Sequence, residues 1–421
     1  MSQKDIPIKA LRPGMFINKL IIPPSTGFIS DLNSDQPATS LRYHQVLIES
    51  EQDIANIESS GIKTVTIDTD KGIDIDVDTT AAVNTVASSA AANTQMPKTI
   101  FAKTADLNDE LSSARFVRRK FGDLTKRLFE STDSDVRLSV SETDRIIEDT
   151  LDSLTRNDQA LVTLLHIQRE KEQLLEHSFA VFCLALRLAQ RLLHDKNAFQ
   201  VLGISAILHD AGWIKLPASL FNKDRSYQPA ELQLVERHVE LIKTGNLLPA
   251  DLPEQALRVV AEHHEYCDGS GYPQGLKGPD IFPLSKILTV ADYYDELANG
   301  LQGAPGYTPS GALNLMYREA MSGKLDQSVV EQLIAMLGIY PIGSAVQLDS
   351  GEKALVIEAH QNAPIRPTVK VYYSKRGMPI QPKVINLNKQ KKDRDILSIA
   401  KVLNPRDDGV DPARVLVLSD E

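Results

Sequence analysis

The sequence has few cysteines, no long apolar run and no excess of positive charge. Of its 421 residues only Cys183 and Cys267 are cysteines, too few for a disulfide framework and in no Cys-x-x-Cys arrangement, so we expect reduced thiols. No apolar run approaches the roughly 20 residues that span a bilayer, and the opening MSQKDIPIKALRPG has no apolar signal region. The sequence therefore predicts a cytoplasmic protein without a membrane span.

The net charge of the chain argues against one class of binding partner. With 46 basic and 56 acidic residues, the formal net charge is -10, which argues against a protein that coats nucleic-acid polymers. The basic cluster RFVRRK, residues 115–120, has two interpretations. We favour a solvated helix face over a nucleic-acid or membrane contact, because charge runs on amphipathic helices usually face water.

The character of the sequence changes along the chain, which predicts several domains. Residues 1–77 contain GMFINKLII and GIKTVTIDTD, whose strand-like patterns predict a small α+β domain. Residues 78–98 are rich in Ala, Ser and Thr and predict a linker, and residues 99–138 carry an amphipathic stripe typical of a connecting helix in a bundle or coiled-coil seam. We expect an all-α helical bundle over 139–345 and a small β-rich module over 346–421, which includes ARVLVL. The predicted fold class is multidomain and mainly α.

Polar side chains interrupt the apolar faces of the predicted bundle. His177 and His238 lie on otherwise apolar helix faces, whereas apolar helices end at His209–Asp210 and at His263–His264. Asp292 and Asp295 share an inward face of a further helix. Burying such groups unpaired costs on the order of several kcal/mol each, so something must satisfy them.

Two explanations compete for these side chains. Any one histidine alone is more simply a core residue bonded to a backbone carbonyl. Five histidines and two aspartates from separate helices instead match the ligand inventory of a metal centre. Because a transition metal takes about four to six ligands, and a catalytic ion keeps positions open, the set predicts two ions that share Asp210.

Five segments resemble the HD-GYP domain, a branch of the HD phosphohydrolases. They are EHS at His177, HDAG at His209, the position of His238, HHEYCDGSGYP from His263, and ADYYDEL at Asp292. The resemblance covers roughly residues 150–340, while IKALRPGMFI is similar to a domain of unknown function that often precedes HD-GYP domains, and LGIYPIGSAVQL to their usual continuation. It implies a bacterial enzyme that hydrolyses cyclic di-GMP to pGpG or GMP with two divalent transition-metal ions, Fe or Mn first and Zn, Ni or Co as alternatives.

The resemblance also implies a distribution of ligands. One ion would be held by His177, His209, Asp210 and Asp292, and the other by Asp210, His238, His263 and His264. Two cations about 3.5–4 Å apart can hold a phosphodiester oxygen and lower the pKa of a bridging water, so that hydroxide attacks phosphorus. Asp210 and Asp295 are the candidate catalytic acids.

The candidate substrate contacts lie mainly in the turn DGSGYP. We expect Gly269 and Gly271 to adopt positive φ, while Pro273 fixes its own φ, and Tyr272 either stacks on guanine or packs internally. The family motif HDIGK places a lysine where this chain has Trp213, which either offers a stacking face or fills space. The full set of candidates is Asp268, Gly269, Gly271, Tyr272, Pro273, Trp213, Lys215, which could replace the lost lysine, and Lys286, which stands where an arginine is common.

The resemblance leaves two main hypotheses for function, and a less favoured third, an HD hydrolase that acts on another phosphoester. The chain is either an active cyclic di-GMP phosphodiesterase, or a catalytically weak member that binds the nucleotide or a partner and signals. Partners would then be signalling proteins such as diguanylate cyclases, and a homodimer fits either hypothesis. Some members hold a third ion through a glutamate one turn before the first histidine; here that residue is Gln173, a weaker ligand, so two ions are expected.

Overall fold

The computed structural model of the chain contains two compact units, Met1–Gln95 and Met96–Glu421. It describes the first unit only in part, at residues 3–11, 16–21, 46–47, 54 and 64–68. In the second unit it describes residues 104–130, 139–167, 173–193, 195–220, 227–243, 248–249, 251–300, 306–360, 363–390 and 396–404. The predicted linker, residues 78–98, and the segment ARVLVL lie outside the described residues.

The first unit contains an antiparallel sheet. Its strands are β1 (Gln3–Pro7), β2 (Phe16–Ile21), β3 (Val46–Leu47) and β4 (Thr64–Asp68), in the order β1-β4-β2-β3. Val65 and Ile67 of β4 are fully buried, as their period-two spacing requires of residues on one face of a strand. The strands expected in GMFINKLII and GIKTVTIDTD are confirmed.

The second unit begins as a bundle of helices, which confirms the mainly α fold class. The helices, in chain order, are α1 (Leu107–Glu130), α2 (Val140–Arg156), α3 (Asp158–Ile167), α4 (Gln173–Leu192), α5 (Lys196–Leu208), α6 (Pro229–Glu236), α7 (His238–Leu241), α8 (Glu254–Glu262), α9 (Pro283–Asn299), α10 (Pro309–Met321) and α11 (Gln327–Leu337). A short 3-10 helix, Ala211–Lys215, follows α5.

Helix α1 is an integral part of this bundle. Its buried stripe packs against α2, α3 and α4, so the amphipathic pattern belongs to a bundle helix, the first of the two alternatives that the sequence left open. The residues of the stripe are Ala114, Val117, Phe121, Leu124 and Leu128. Phe116 of the basic cluster is 44% exposed and lies under Arg119 and Lys120, whereas Arg118 is largely buried and pairs with Glu176, so the solvated-face interpretation holds for only part of the cluster.

Helices α4, α5 and α9 form the centre of the bundle. Helix α4 packs against both α5 and α9, and α5 packs against α8. Residues 201–208 of α5 are buried without exception, so this part of the helix has no solvent face and no strong amphipathic pattern. Helix α9 begins with Pro283 in its first turn and ends at Gly300, which adopts a left-handed conformation with φ 67°.

The second unit closes with an antiparallel sheet, as the sequence predicts. Its strands are β5 (Ala345–Leu348), β6 (Lys353–Glu358), β7 (Thr368–Tyr373), β8 (Pro379–Asn386) and β9 (Ile399–Val402), in the order β8-β7-β6-β5-β9. The Gln159 amide of α3 donates a hydrogen bond to the Ala359 carbonyl at 2.8 Å, which joins the bundle to this sheet. Among the described residues, none of the helices has the length and apolar character to cross a membrane.

Candidate metal centre

Seven buried side chains of the second unit form two groups of potential metal ligands. Within each group, one ligand atom from every residue lies within 4.8 Å of those of the others. The His238 group consists of Asp210, His238, His263 and His264, and the His177 group of His177, His209 and Asp292. All seven are at most 7% exposed. The structure thus brings together every residue that the sequence proposed as a ligand.

Two pairs of neighbouring ligands lie where helices end. Helix α5 ends at Leu208 with His209 as its C-cap, and α8 ends at Glu262 with His263 as its C-cap. Consecutive residues of a continuous helix point about 100° apart, so one straight helix does not aim two adjacent side chains at the same ion. Because the helices end here, the two neighbouring side chains of His209–Asp210 and of His263–His264 are free of that restriction and can face the same centre.

The glycine of HDAG allows the ligand elements to approach each other closely. A Cβ atom on Gly212 would lie 2.0 Å from the backbone oxygen of His238, so no other residue fits without backbone movement. The 3-10 helix Ala211–Lys215 therefore packs directly on α7, which begins at His238. This contact positions Asp210 and His238 in the same group.

Backbone carbonyls set the tautomer of three histidines. The Nδ1 atoms of His209, His238 and His263 lie 2.7–2.8 Å from the carbonyl oxygens three residues earlier in the chain. Since a carbonyl only accepts, each Nδ1 carries the proton, and each Nε2 presents a lone pair to the centre.

The Nε2 atoms face one another at short range. His238 Nε2 lies 3.3 Å from His263 Nε2, and His177 Nε2 lies 3.4 Å from His209 Nε2. Two neutral lone pairs at that distance repel unless a cation or a proton lies between them. His238 and His263 are therefore placed to act as two ligands of one metal ion.

Asp210 belongs to the His238 group and also faces the His177 group. Its Oδ1 atom is 3.4 Å from His238 Nε2, whereas its Oδ2 atom is 3.5 Å from both His177 Nε2 and His209 Nε2. A carboxylate with one oxygen towards each group is the arrangement of a bridging ligand.

Asp295 contacts the ring nitrogen of His177 that faces away from the ligand groups. Its Oδ2 atom lies 2.9 Å from His177 Nδ1, and its Oδ1 atom accepts a hydrogen bond from the Asn299 amide at 2.5 Å. A carboxylate on the far nitrogen of a ligand histidine fixes the ring orientation and increases the basicity of the near nitrogen. The geometry thus places Asp295 beside a ligand histidine, where it orients the ring.

The buried charges perturb the protonation of the ligands. Burial alone would raise the pKa of Asp210, but the surrounding histidines hold that pKa at about 2. Burial lowers the pKa of His263 to about 3 and also lowers the pKa values of His238 and His264. Burial opposes the charge on His177 too, but hydrogen bonds to Asp292 and Asp295 raise its pKa well above 6.5. Neutral imidazoles beside an ionised carboxylate fit a divalent transition metal.

The glycine-rich turn covers the His238 group with an aromatic ring. Tyr272 stacks on His264 with ring centroids 4.7 Å apart, and its backbone N–H donates to the His264 carbonyl at 3.1 Å. Gly269 has φ +83°, as expected, and Pro273 follows Tyr272 with an exposed ring. Tyr272 therefore packs on a ligand, which is one of the two alternatives for this side chain.

The expectation of positive φ at Gly271 is wrong, and the reason for glycine there is steric. The left-handed glycines of the turn are Gly269 and Gly275, not Gly271. A Cβ atom on Gly271 would lie 2.4 Å from both the His264 oxygen and the Tyr266 nitrogen. Glycine is thus required by the close approach of the turn to the helix end that carries the ligands.

The remaining candidate substrate contacts are dispersed. Asp268 is exposed and accepts hydrogen bonds from the Ser270 N–H and hydroxyl within its own turn, at 2.9 and 2.6 Å. Lys286 donates to Asp326 at 3.2 Å, and Lys215 is exposed at the end of its 3-10 helix. Trp213 stacks on His238 with centroids 5.7 Å apart. Of these four, Trp213 is in direct contact with a ligand.

Sequence reasoning missed three acids around the centre. Glu265 accepts from the Gln274 and Leu276 N–H groups at 2.6 and 2.8 Å and so closes the turn, while Glu262 accepts from Phe282 N–H at 2.8 Å at the start of α9. Glu296 forms a third potential ligand group with His264 and Asp292. A signal for Glu296 was present, because it lies four residues after Asp292 and hence on the same helix face.

Three family descriptions match successive parts of the chain. Residues 3–143 match a domain of unknown function, residues 144–329 match the HD domain, and residues 345–409 match a KOW domain associated with the HD domain. The order agrees with the resemblance of the N-terminal, central and C-terminal motifs.

Similar proteins include two phosphodiesterases and one solved structure. A cyclic di-GMP phosphodiesterase of Pseudomonas aeruginosa is 27% identical over 92% of this chain and 89% of its own length. A 3'3'-cGAMP-specific phosphodiesterase of Vibrio cholerae is 26% identical over 38% of this chain and 37% of its own length. The structure of an HD-GYP-type protein from Bdellovibrio bacteriovorus aligns with 79% of this chain and 98% of its own, at 18% identity and a TM-score of 0.44.

Proposed function

Because residues 144–329 match the HD domain, we propose that this chain is a metal-dependent phosphodiesterase that hydrolyses cyclic di-GMP to pGpG, GMP or both. The Pseudomonas relative, which matches nearly the whole chain, is named for that substrate. The observation that carries the proposal is Asp210, whose two oxygens face the His238 group and the His177 group separately. Two adjacent sites that share a carboxylate are typical of centres that hydrolyse phosphoesters.

The residues present fit such a centre. The His177 group with Asp210 would hold one divalent ion, Fe or Mn, and the His238 group the other. When bound, a pair of ions supplies an activated water at neutral pH and neutralises the charge of the phosphodiester. The protein's own contribution is to hold the ligands rigidly: the carbonyls behind His209, His238 and His263 orient their rings, and Asp295 orients His177.

The proposal is tested by product analysis. Protein loaded with Mn²⁺ or Fe²⁺ is incubated with cyclic di-GMP, and the products are resolved by chromatography. We expect turnover that falls at least about 100-fold in His263→Ala and in Asp292→Ala, because each loses a direct ligand. His360→Ala, in the C-terminal sheet region, is the matched control and should keep the wild-type rate. Unchanged turnover in either ligand variant would reject the assignment.

A second function is favoured by Trp213. Its ring stacks on His238 at the position where related motifs carry a lysine, and Lys286 is paired with Asp326. With these cationic contacts missing, the chain could bind cyclic di-GMP without appreciable turnover and act as a signalling module. Calorimetry that shows nucleotide binding, together with chromatography that shows no product, would support this function over hydrolysis.

The identity of the nucleotide and of the partners is part of the proposal. The Vibrio relative is named as specific for 3'3'-cGAMP, so the assay should compare this dinucleotide with cyclic di-GMP at equal concentration. We expect faster hydrolysis of cyclic di-GMP. A cytoplasmic location, a homodimer and signalling partners such as diguanylate cyclases stay predictions.

A further inference from the structure

Strands β7 and β8 form a hairpin, here called the β7–β8 hairpin, in a stretch of the chain that has no acidic residue. Residues 363–390 contain six basic residues and no aspartate or glutamate, although the whole chain has a net charge of -10. Five of the six basic side chains are exposed: Arg366, Lys375, Arg376, Lys383 and Lys389. Within the described part of the chain, no ion pair neutralises any of the five. The hairpin therefore presents a positive surface on an acidic protein.

The same hairpin exposes large apolar side chains. Met378 is 64% exposed, Val384 60% and Ile380 36%. Strand β8 lies at the edge of the sheet and contains Pro379 and Pro382. Prolines and charges on an edge strand protect it against pairing with another strand. That protection does not explain three exposed aliphatic side chains within seven residues, because single exposed apolar residues are ordinary and clusters mark contact surfaces.

The turn of the hairpin is open to solvent. The Gly377 N–H donates to the Ser374 carbonyl at 2.8 Å, and the Ser374 N–H donates to the Met378 carbonyl at 2.9 Å, so the turn is tight. Gly377 has φ +75°, and a Cβ atom there would meet no other atom within 4 Å. Residues 375–384 are exposed without exception. The cations and aliphatic side chains of the hairpin thus project from a convex turn and the strand that follows it.

We propose that the β7–β8 hairpin docks on an anionic membrane surface. Lys375, Arg376 and Lys383 contact the lipid headgroups, and Met378 and Ile380 enter the boundary of the acyl layer. Basic clusters are attracted to anionic lipids, and apolar side chains gain free energy when they leave water for that boundary. A fluid lipid surface adapts to a convex turn, so no complementary groove is needed. The inference goes beyond the proposed function, because it concerns where the chain is held and involves none of the metal ligands.

The aromatic residues of the hairpin argue against a nucleic-acid strand as the occupant. Tyr372 is buried, and Tyr373 is partly buried and contacts it with ring centroids 5.1 Å apart. Proteins that bind single strands without sequence preference stack the bases on accessible aromatic rings. The large exposed side chains of this hairpin are aliphatic instead, and aliphatic side chains beside cations suit a lipid surface.

The test is co-sedimentation of the full-length protein with lipid vesicles. Vesicles of phosphatidylcholine with about 40% phosphatidylglycerol are compared with vesicles of phosphatidylcholine alone. We expect binding to the anionic vesicles, weakened by about 0.5 M salt because salt screens the attraction, and at least about 10-fold weaker binding to the neutral ones. Equal binding to both kinds of vesicle, or no binding to the anionic ones, overturns the proposal.

Two sets of variants separate the charge of the hairpin from its apolar side chains. Lys375→Glu/Arg376→Glu should lower the partition coefficient onto anionic vesicles at least about 10-fold, since each cation near such a surface contributes about fivefold. Met378→Gln keeps the charge and should lower it several-fold. The matched control Arg115→Glu/Arg119→Glu reverses two exposed charges on α1 and should bind as the wild type does. Wild-type binding by Lys375→Glu/Arg376→Glu, or loss of binding by the α1 variant, would contradict the assignment to the hairpin.

Two further measurements distinguish the proposal from its alternatives. Fluorescence anisotropy with a labelled single-stranded RNA tests the nucleic-acid alternative: RNA binding that Lys375→Glu/Arg376→Glu abolishes, without vesicle binding by the wild type, overturns the proposal. Turnover of cyclic di-GMP in the absence of vesicles should be the same in Lys375→Glu/Arg376→Glu as in the wild type. A vesicle result against the hairpin therefore leaves the proposed function intact, and a lack of turnover in both proteins leaves the membrane contact intact.

Discussion

Asp210 is the residue on which both ligand groups depend. Its oxygens face His238 at 3.4 Å and the His177–His209 pair at 3.5 Å, so removal of this one carboxylate takes a ligand from each group. We expect Asp210→Ala to lose most of the bound metal of both groups. Its removal also leaves several buried imidazoles without the negative charge that lay beside them.

The Asp210 prediction is checked by metal analysis of purified, folded protein. Asp268→Ala is the matched control, because Asp268 is exposed and its carboxylate bonds within its own turn. Asp268→Ala should retain the wild-type metal content. Full metal content in Asp210→Ala would show that Asp210 does not bridge.

His177 should release a proton when its group takes up metal. Its pKa is raised well above 6.5, so without metal it is charged at pH 7 and must become neutral to act as a ligand. The histidines of the His238 group have lowered pKa values and are already neutral. Metal uptake at the His177 group should therefore weaken as the pH falls below the raised pKa of His177, a range that includes pH 7, and more steeply than uptake at the His238 group.

Calorimetry in two buffers of different ionisation enthalpy measures this proton. The apparent enthalpy of Mn²⁺ binding should depend on the buffer in wild type and depend less on it in Asp295→Asn, because loss of the Asp295 charge lowers the pKa of His177. Equal enthalpies in both buffers for the wild-type protein contradict the prediction.

Among the elements, the turn after α8 has the strictest steric requirement. A Cβ atom on Gly271 would meet the backbone of His264 and Tyr266 at 2.4 Å, and backbone cannot move aside without shifting the ligands. We expect Gly271→Ala to cost about 1–3 kcal/mol in the free energy of unfolding and to weaken metal binding at His264. Urea denaturation and metal titration check the two effects.

A matched glycine, Gly278, lies seven residues after Gly271 in the chain. A Cβ atom on Gly278 would lie 3.4 Å from the Cys267 side chain, an ordinary contact, at a φ that L-residues adopt. Gly278→Ala should therefore be neutral or stabilise the protein by a few tenths of a kcal/mol. If Gly278→Ala destabilises the protein as much as Gly271→Ala does, the close backbone approach at Gly271 is not the cause of that destabilisation.

The elements also show what the sequence could predict. Apolar runs that stop at His209 and His263 predicted where α5 and α8 end, because polar ligands interrupt a buried face at a visible position. The conformation of Gly271 was predicted wrongly. Glycine is needed there because atoms of residues 264–266 lie close to it, and the periodicity of a sequence carries no information on close backbone approach. Lys286 was proposed for substrate, yet its partner Asp326 lies 40 residues away in sequence, and local spacing cannot predict such a pairing.

At the scale of the whole molecule, every proposed ligand belongs to one compact unit. The unit Met96–Glu421 contains the bundle and the C-terminal sheet, which the Gln159–Ala359 hydrogen bond joins. The unit Met1–Gln95 contributes no residue to the ligand groups found among the described residues. We therefore expect the first unit to be dispensable for metal binding.

The last prediction follows from this division. A fragment of residues 96–421 should fold cooperatively, bind as much metal per chain as the full-length protein, and hydrolyse cyclic di-GMP at a comparable rate. A shorter fragment that ends at residue 338 is the informative contrast, because it removes the sheet that receives the Gln159 hydrogen bond and exposes apolar surface. We expect it to unfold at a lower temperature, measured by circular dichroism. If the fragment 96–421 is itself unfolded or free of metal, the first unit is required for the centre, and the two units cannot be treated as independent.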